Sequence, residues 1–184
     1  MRVEPLAIPD VLLLTPARHG DERGFFSETY NAARMAQAGV PGPFVQDNHS
    51  LSRARGVVRG LHCQVGPNAQ GKLVRCVRGA IWDVAVDARR GSPSFGQHVA
   101  AEITAENWTG IWVPVGFLHG FCTLRPDTEV IYKVTAPYDR DAERGVLWND
   151  PALGIPWPVS PDEAVLSDKD RVLPRWADAG PLFA

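Results

Sequence analysis

Short runs of apolar residues separated by polar turns make up most of the chain from residue 44 onward. The runs are rich in valine, isoleucine and aromatic residues, which favour β-strands. In chain order they read FVQDNHSLS, GVVRGLHCQV, GKLVRCVRG, AIWDVAVDA, FGQHVAAEIT, GIWVPVGF, HGFCTL and TEVIYKVT, and turns such as RGSPSFG divide them. Many short strands at regular spacing, with little helix between them, predict a β-sandwich or a β-barrel.

The two ends of the chain have different patterns. Near the amino terminus, DVLLLTP at 10–16 predicts a strand, and NAARMAQAG at 31–39 predicts a short helix that Gly39 ends in a left-handed cap. After Tyr138 the pattern becomes irregular, which predicts turns and short helices wrapped around the barrel. We expect a single domain over 1–184, with an amino-terminal segment at 1–43, a core barrel at 44–138 and a carboxy-terminal segment at 139–184.

Composition and charge narrow the class of protein. Of the 184 residues, 45% are hydrophobic and 22% are charged, which is ordinary for a globular domain with a sizeable core. The net charge is -2 and no basic block occurs, so we expect neither a nucleic acid nor a membrane as partner. The sequence contains no signal peptide and no apolar stretch near the roughly 20 residues that span a bilayer, so we expect a cytoplasmic protein.

The cysteine and histidine positions favour neither a disulfide framework nor a metal site. Cys63, Cys76 and Cys122 are widely spaced and lie in apolar runs, where buried free thiols are the ordinary interpretation. The sequence has no two histidines one residue apart, the arrangement that would bring both rings to one side of a strand. His62, His119 and a carboxylate could still meet in space, but without paired spacing we expect no metal site.

The histidine of RGLHCQ, at 59–64, has three possible roles: a core residue, a metal ligand or a catalytic base. In an alternating strand, His62 shares a face with Gly60 and Gln64, whereas Arg59 faces the other way. A bulge at Gly60 would turn Arg59 and His62 to the same side. The two side chains can therefore share a pocket only if the strand bulges.

Other candidate residues are ambiguous by type alone. Lys72 follows a glycine at a strand start, where a solvated lysine is common, and Tyr132 between two valines is typical of a core tyrosine. His119 follows the turn PVGFL, at a strand rim where ligand contacts are common. In DERGFFSE, at 21–28, an arginine and two aromatic rings suit a base and a phosphate, and equally suit an edge strand with a charged border.

These segments together resemble one family, the dTDP-4-dehydrorhamnose 3,5-epimerases. The resemblance rests on DERGFFSE, FVQDNHSLS, RGLHCQ, QGKLVRCVRG, WDVAVDARRGSPSFG, PVGFLHGF, YKVTAPYD, LWNDPALGIPWP and LSDKD, which follow the family's order over nearly the whole chain. It implies a mainly β fold, the cupin-type double-stranded β-helix (a jelly-roll barrel), with a few short helices. It also implies a cofactor-free isomerase that epimerises dTDP-4-dehydro-6-deoxy-D-glucose at carbons 3 and 5 to dTDP-4-dehydro-L-rhamnose, in dTDP-L-rhamnose biosynthesis.

The same resemblance implies catalytic roles. His62 resembles the base, and Asp170 of LSDKD resembles the carboxylate that orients it, with Asp168 as the alternative carboxylate. Lys72 resembles the cation near the ketone oxygen, and Tyr132 resembles the acid that returns a proton on the opposite face of the ring. The chemistry needs these residue types because a hydrogen next to a ketone is a very weak acid, and donors at the ketone oxygen must stabilise the enolate.

Further positions match the family's substrate contacts. Arg23 and Arg59 match contacts to the diphosphate, and the other matches, to the thymidine or elsewhere in the pocket, are Phe26, Glu28, Gln46, Asp47, Asn48, His119, Tyr138, Glu143 and Lys169. The sequence has no glycine-rich phosphate loop, so arginine side chains must hold the anion. The resemblance also implies a homodimer with exchanged amino-terminal segments, in which Arg23 and Glu28 serve the neighbouring subunit.

Cys63 departs from the family, whose members usually carry an aromatic residue after the histidine. On an alternating strand its side chain faces away from His62, so we expect altered packing rather than altered chemistry.

Three other functions stay open: a family member that acts at carbon 3 or carbon 5 alone, a metal-dependent cupin enzyme, and a non-catalytic nucleotide-sugar-binding module.

Overall fold

The computed structural model describes residues 1–183, and the chain over these residues is built mainly from β-strands. From β1 to β13, the strands are Arg2–Pro5, Leu12–Thr15, His19–Asp21, Gly24–Phe26, Gln46–Ser52, Val58–Gln64, Lys72–Arg78, Ala80–Asp87, His98–Thr104, Gly110–Val113, Phe117–Thr123, Thr128–Val134 and Glu143–Gly145. The α-helices are α1 (Ala32–Gln37) and α2 (Asp168–Arg171), and single 3₁₀ turns lie at Gly66–Asn68 and Trp176–Asp178. Each run predicted as a strand contains one.

Two antiparallel sheets pack face to face. One has six strands in the order β1-β2-β10-β7-β12-β5, and the other has five in the order β13-β6-β11-β8-β9. Both contribute to the apolar core between them, with Val74 and Ile111 from the first sheet and Ala85 and Phe121 from the second. Consecutive strands such as β10 and β11 lie in different sheets, which is the crossing pattern of a jelly roll and confirms the predicted fold class.

The carboxy-terminal segment covers the outer face of the five-stranded sheet. Val84, Val86 and Leu118 point away from the inner core and pack with Leu153 and Leu182. Both faces of this sheet are therefore buried, and every residue of β11 is buried. The segment wraps the barrel as its irregular pattern predicts, and it brings α2 beside β6.

Helix α1 covers part of the outer face of the six-stranded sheet. Asn31 caps its first turn by accepting a backbone hydrogen bond at 3.2 Å, and Gly39 follows its end with a φ of +83°. Met35 packs with Leu73 and Trp112. The predicted helix and its glycine cap are thus confirmed. Over residues 1–183, none of the helices has the length and apolar character to cross a bilayer.

Strands β3 and β4 form a separate, exposed hairpin. Its two phenylalanines, Phe25 and Phe26, are 50% and 71% exposed. Phe25 contacts Trp108 edge to face, with ring centroids 4.8 Å apart, which ties the hairpin to the chain just before β10. Two adjacent exposed phenylalanines form an apolar surface that the described part of the chain leaves uncovered.

Candidate active site

A cavity of about 430 Å³ collects several of the side chains that the sequence singles out. Its walls come from both sheets and from the carboxy-terminal segment. The lining residues are Ser50, Val57, Val58, Arg59, His62, Lys72, His119, Phe121, Tyr132, Val165, Leu166, Ser167, Lys169 and Asp170.

His62 and Asp170 form a hydrogen-bonded pair in the cavity wall, with His62 Nε2 2.6 Å from Asp170 Oδ1. Burial opposes ionisation of Asp170, but His62, the Ser167 hydroxyl and the Lys169 charge together outweigh burial and hold the pKa of the carboxyl below its usual value. Because an ionised carboxylate only accepts, this hydrogen bond requires a proton on His62 Nε2, and the neutral ring then has its lone pair on Nδ1. Asp168, the alternative carboxylate, is exposed and lies outside the cavity wall.

A β-bulge turns Arg59 and His62 toward the same cavity. His62 pairs with His119 on β11 and Arg59 pairs with Phe121, so β6 has one more residue than β11 between the two pairs. Gly60 lies in this extra length, with a φ of +126°, and a Cβ on it would lie 2.6 Å from the backbone of β11. The bulge that the sequence allowed is therefore confirmed, and it explains how both side chains line one cavity.

Tyr132 and Lys72 reach the cavity from the six-stranded sheet, whereas His62 reaches it from the five-stranded sheet. Burial raises the pKa of Tyr132 and lowers the pKa of Lys72, since burial favours the neutral form of each. The Lys72 ammonium makes no hydrogen bond to the residues that the structure describes, so its donors are available to a ligand in the cavity.

A second histidine–carboxylate pair lies beside the first. His119 Nε2 is 2.9 Å from both carboxylate oxygens of Asp83, whose side chain has no solvent exposure. This pair holds the His119 ring in one orientation in the cavity wall. The sequence reasoning found His119 but missed Asp83. The available signal was a charged residue inside the apolar run AIWDVAVDA, because a buried carboxylate requires a partner.

Arg59 and nearby serines form a part of the wall that suits an anion. Arg59 Nε donates to Ser52 Oγ at 3.3 Å, and Arg59 Nη2 donates to the Leu51 carbonyl at 3.4 Å. Both hydrogen bonds are long, and the remaining guanidinium donors are available to a ligand. Ser50 Oγ, which the sequence reasoning missed, is buried without a hydrogen-bond partner among residues 1–183. This wall has the donors that a phosphate group requires.

Five other predicted contacts join in one polar network at the edge of the cavity. Lys169, which lines the cavity, donates to Glu143, and Glu143 also accepts from the Tyr138 hydroxyl at 3.1 Å. The Gln46 side chain donates to Asn48 at 2.8 Å and accepts from the Tyr138 backbone at 2.8 Å. Burial opposes ionisation of Glu143, but Lys169 holds its pKa below the usual value.

The remaining four predicted contacts lie away from the cavity wall. Asp47 points to the other face of β5, where it accepts from Lys133 at 2.8 Å. Arg23 lies on the β3–β4 hairpin with 89% of its side chain exposed. Phe26 and Glu28 line a separate depression. Within one chain, therefore, these four side chains do not share a wall with His62.

Cys63 faces away from the cavity. It packs with Leu61 and Val84 in the outer core, and burial raises the pKa of its thiol to about 11. This confirms the expected orientation of the residue that departs from the family pattern. Cys76 and Cys122 are also buried free thiols. In the part of the chain that the structure describes, no three side chains of the metal-binding types form a ligand set.

The arrangement suits proton transfer at a carbon next to a carbonyl group. His62 offers a lone pair with a carboxylate behind it, and Lys72 offers a cation for a developing enolate oxygen. Tyr132 offers a hydroxyl proton from the opposite sheet. A base and an acid on facing walls can remove a proton from one face of a ring and deliver one to the other face.

The chain is similar over nearly its whole length to proteins of this chemistry. The sequence profile of dTDP-4-dehydrorhamnose 3,5-epimerase matches residues 5–178. The dTDP-4-dehydrorhamnose 3,5-epimerase of Pseudomonas aeruginosa is 52% identical over 97% of this chain and 98% of its own.

Solved structures have the same fold. The Bacillus anthracis dTDP-4-dehydrorhamnose 3,5-epimerase, with TDP and PPi bound, has a TM-score of 0.91 and 49% identity, covering 95% of this chain and 98% of its own. The Legionella pneumophila dTDP-6-deoxy-D-glucose-3,5-epimerase, in complex with dTDP-4-keto-L-rhamnose, has a TM-score of 0.92 and 40% identity, covering 99% and 97%. With a profile match that includes every residue of the cavity wall, the chain belongs to the dTDP-4-dehydrorhamnose 3,5-epimerase family.

Proposed function

We propose that this chain epimerises dTDP-4-dehydro-6-deoxy-D-glucose at carbons 3 and 5 to give dTDP-4-dehydro-L-rhamnose. The observation that carries the proposal is the His62–Asp170 pair, which shares a cavity with the Tyr132 hydroxyl and the Lys72 ammonium. Family membership supports the substrate class, because the Bacillus anthracis relative binds TDP and the Legionella pneumophila relative binds dTDP-4-keto-L-rhamnose.

In this proposal His62 Nδ1 removes the proton from a carbon next to the ketone. Asp170 stabilises the imidazolium that forms and keeps the ring oriented. Lys72 donates to the ketone oxygen as that oxygen gains the negative charge of an enolate. By analogy with oxyanion holes, one such donor stabilises the transition state by roughly 3–4 kcal/mol.

Tyr132 is the proposed acid on the opposite face of the sugar ring. Burial raises the pKa of its hydroxyl, so Tyr132 holds its proton at neutral pH and can deliver it to the enolate. The same residues serve both carbons, because carbons 3 and 5 are both next to the ketone at carbon 4. Delivery from the face opposite the base inverts each centre.

The nucleotide part of the substrate has its own binding residues. Arg59 and the unpartnered hydroxyl of Ser50 are the proposed contacts of the diphosphate. The network that joins Tyr138 to Gln46 and Asn48 is the proposed thymidine contact, because an exposed aromatic ring beside amide groups suits a base.

A homodimer completes the proposed site. Arg23, Phe26 and Glu28 match substrate contacts but lie on or beside the exposed hairpin, outside the cavity of their own chain. Strand β5, which lies beside the cavity, is a free edge of the six-stranded sheet, and natural proteins usually cover such edges. A second copy that places its hairpin over this edge would cover both the strand edge and the exposed phenylalanines, and would supply Arg23 to the diphosphate.

Solvent exchange in heavy water with dTDP-4-dehydro-6-deoxy-D-glucose tests the reaction. We expect the wild-type product to carry deuterium at both carbon 3 and carbon 5. Label at one carbon alone would identify a single-carbon epimerase and contradict the proposal. The assay is repeated with a chelator, and loss of activity that one equivalent of metal restores would overturn the cofactor-free mechanism.

The variant His62→Asn tests the base. We expect its exchange rate to fall by about 100-fold or more, since a positioned base contributes about 10²–10⁴-fold. Binding of the substrate, measured by calorimetry, should persist because the proposed diphosphate and thymidine contacts are unchanged. Exchange at the wild-type rate would show that another group removes the proton.

A further inference from the structure

The carboxy-terminal segment contains two sequence motifs of the same kind before the end of α2. In each, a serine stands three residues before an acidic residue: Ser160 before Glu163, and Ser167 before Asp170. This spacing is the capping box, in which the serine satisfies the first turn of a helix and the acidic residue reaches back to it. Only the second motif lies in the cavity wall, and its acidic residue is the one that contacts His62.

Ser167 contacts Asp170 in two ways. Its hydroxyl accepts from the Asp170 backbone N–H at 3.2 Å, which is the ordinary cap, and it donates to Asp170 Oδ2 at 2.8 Å. The other carboxylate oxygen, Oδ1, accepts from His62. Both oxygens of Asp170 are thus used, one by the serine and one by the histidine, and its side chain is only 5% exposed.

We propose that Ser167 is a positioning residue for the reaction, which holds the Asp170 carboxylate in the rotamer that supports His62. The inference rests on the proposed function, because it assigns Ser167 a role through Asp170 and His62. Ser167 does not act on the substrate itself. The hydrogen bonds therefore run in one line from Ser167 to Asp170 to His62.

The carboxylate needs such a second contact for two reasons. The last torsion of an aspartate side chain is broad, so a single hydrogen bond to His62 leaves the carboxylate free to rotate. Helix α2 has only four residues, which is too short to hold its own geometry, so Asp170 is fixed by local contacts and not by a long helix. The Ser167 hydroxyl supplies both the cap and the second contact.

Ser160 provides a matched control. Its hydroxyl donates to Glu163 at 2.8 Å, and its backbone N–H donates to the same oxygen at 3.2 Å. The hydroxyl–carboxylate distance is the same as in the second motif, whereas the Glu163 backbone N–H donates to the Ser160 carbonyl at 3.1 Å and not to its hydroxyl. Neither Ser160 nor Glu163 lines the cavity. Ser160→Ala should remove a similar stabilising contact from the same segment without touching the reacting groups.

The first experiment compares Ser167→Ala with Ser160→Ala in the full chain. For Ser167→Ala we expect kcat for solvent exchange to fall about 10-fold with KM unchanged, because a hydrogen bond to a charged group is lost. Ser160→Ala should keep the wild-type kcat. Ser167→Thr, which keeps the hydroxyl and is also a good helix cap, should restore most of the rate. Equal kcat in Ser167→Ala and the wild type would overturn the inference.

The second experiment is a double-mutant cycle, and it separates positioning from general stability. A residue that acts only through Asp170 should have no further effect once Asp170 is changed, so Ser167→Ala in an Asp170→Asn background should leave kcat as Asp170→Asn alone sets it. If the two substitutions instead lower kcat by factors that multiply, Ser167 acts on stability or on another group, and the inference fails. Thermal unfolding of all variants shows whether each is folded at the assay temperature.

The same cycle distinguishes this inference from the proposed function. If Asp170→Asn itself leaves exchange unchanged, Asp170 does not support the base and the catalytic pair of the proposed function is wrongly assigned. If Asp170→Asn lowers kcat but Ser167→Ala does not, the pair is correct and only the positioning role of Ser167 is refuted.

Discussion

Burial shifts the pKa values of Tyr132 and Lys72, two proton-carrying groups of the cavity, in opposite directions. It raises the pKa of Tyr132, which therefore keeps its proton to higher pH and remains an acid. It lowers the pKa of Lys72, which therefore loses its proton, and with it its charge, at lower pH than an ordinary lysine. The group that limits activity on the basic side should thus be Lys72 and not Tyr132.

These opposite shifts predict the pH dependence of a Lys72→Arg variant. In the proposed mechanism Lys72 stabilises the enolate only while protonated, so wild-type kcat/KM should fall as pH rises through a value below the ordinary lysine pKa of 10.5. Arginine stays protonated at every accessible pH. The variant should therefore have a lower kcat/KM at neutral pH, but its kcat/KM should not fall at high pH, or should fall only at a higher pH than in the wild type. Initial exchange rates between pH 7 and 11 measure this. An unmoved basic limb in Lys72→Arg would assign that limb to another group.

Residue types alone left His62 with three possible roles, and the reason is physical. The residue that distinguishes them is Asp170, 108 positions further along the chain. Hydrophobic periodicity reports on neighbours within a few residues, so it carries no information about such a pair. The ordered match to family motifs supplied that pairing, and the structure places the two side chains in contact.

At the scale of elements, the bulge in β6 determines which side chains meet. Alternation along a regular strand would send Arg59 and His62 to opposite faces, and one of them would leave the cavity. The extra residue at Gly60 fits into the sheet because the residue opposite it on β11 is Gly120. A Cβ on Gly120 would lie 3.2 Å from the Gly60 Cα, so the two backbones can approach only without that side chain. Two glycines on adjacent strands therefore allow one cavity to contain both the proposed base, His62, and the residue proposed to bind the diphosphate, Arg59.

A Gly60→Ala variant should lose both stability and activity. Its Cβ would lie 2.6 Å from the Gly120 Cα, and the residue has a φ of +126°, so β6 would have to shift. We expect the free energy of unfolding to fall by about 3 kcal/mol. The protein that does fold should lose most of its solvent-exchange activity on the substrate. Urea unfolding and exchange rates measure the two effects.

Gly91→Ala is the control for this prediction. A Cβ on Gly91 would meet no atom within 4 Å, and Gly91 has no positive φ, so its stability and activity should match the wild type. If Gly60→Ala behaved like Gly91→Ala in both measurements, the site would not depend on the bulge.

Local patterns predicted the elements but not how they pair. Helix α1 followed from its alanines, its methionine and the Gly39 cap, and the strands followed from their apolar runs, because these signals lie within each element. The sheet order places β10 between β2 and β7, which depends on contacts between residues far apart in the chain. Asp83 was missed for the same reason, since its partner His119 lies on the neighbouring strand.

At the scale of the whole molecule, the separation of the predicted substrate contacts into two groups is the main feature. Arg59 and the polar network around Tyr138 lie in or beside the cavity, whereas Arg23, Phe26 and Glu28 lie on or beside the exposed hairpin. If both groups of residues bound one substrate within a single chain, the β3–β4 hairpin would have to move to the cavity. In a dimer, the hairpin of each chain can instead lie at the cavity of the other, and two-fold symmetry gives two equal sites.

Mixing two inactive variants tests which arrangement occurs. Arg23→Ala lacks the proposed diphosphate contact on the hairpin, and His62→Asn lacks the proposed base in the cavity, so each should be nearly inactive alone. In a hairpin-exchanged dimer, one of the two sites of a mixed dimer combines an intact His62 with an intact Arg23. Random reassociation of equal amounts makes half the dimers mixed, so about a quarter of wild-type activity should return. A mixture as inactive as its components, under conditions where mass spectrometry detects mixed dimers, would show that each hairpin serves its own chain.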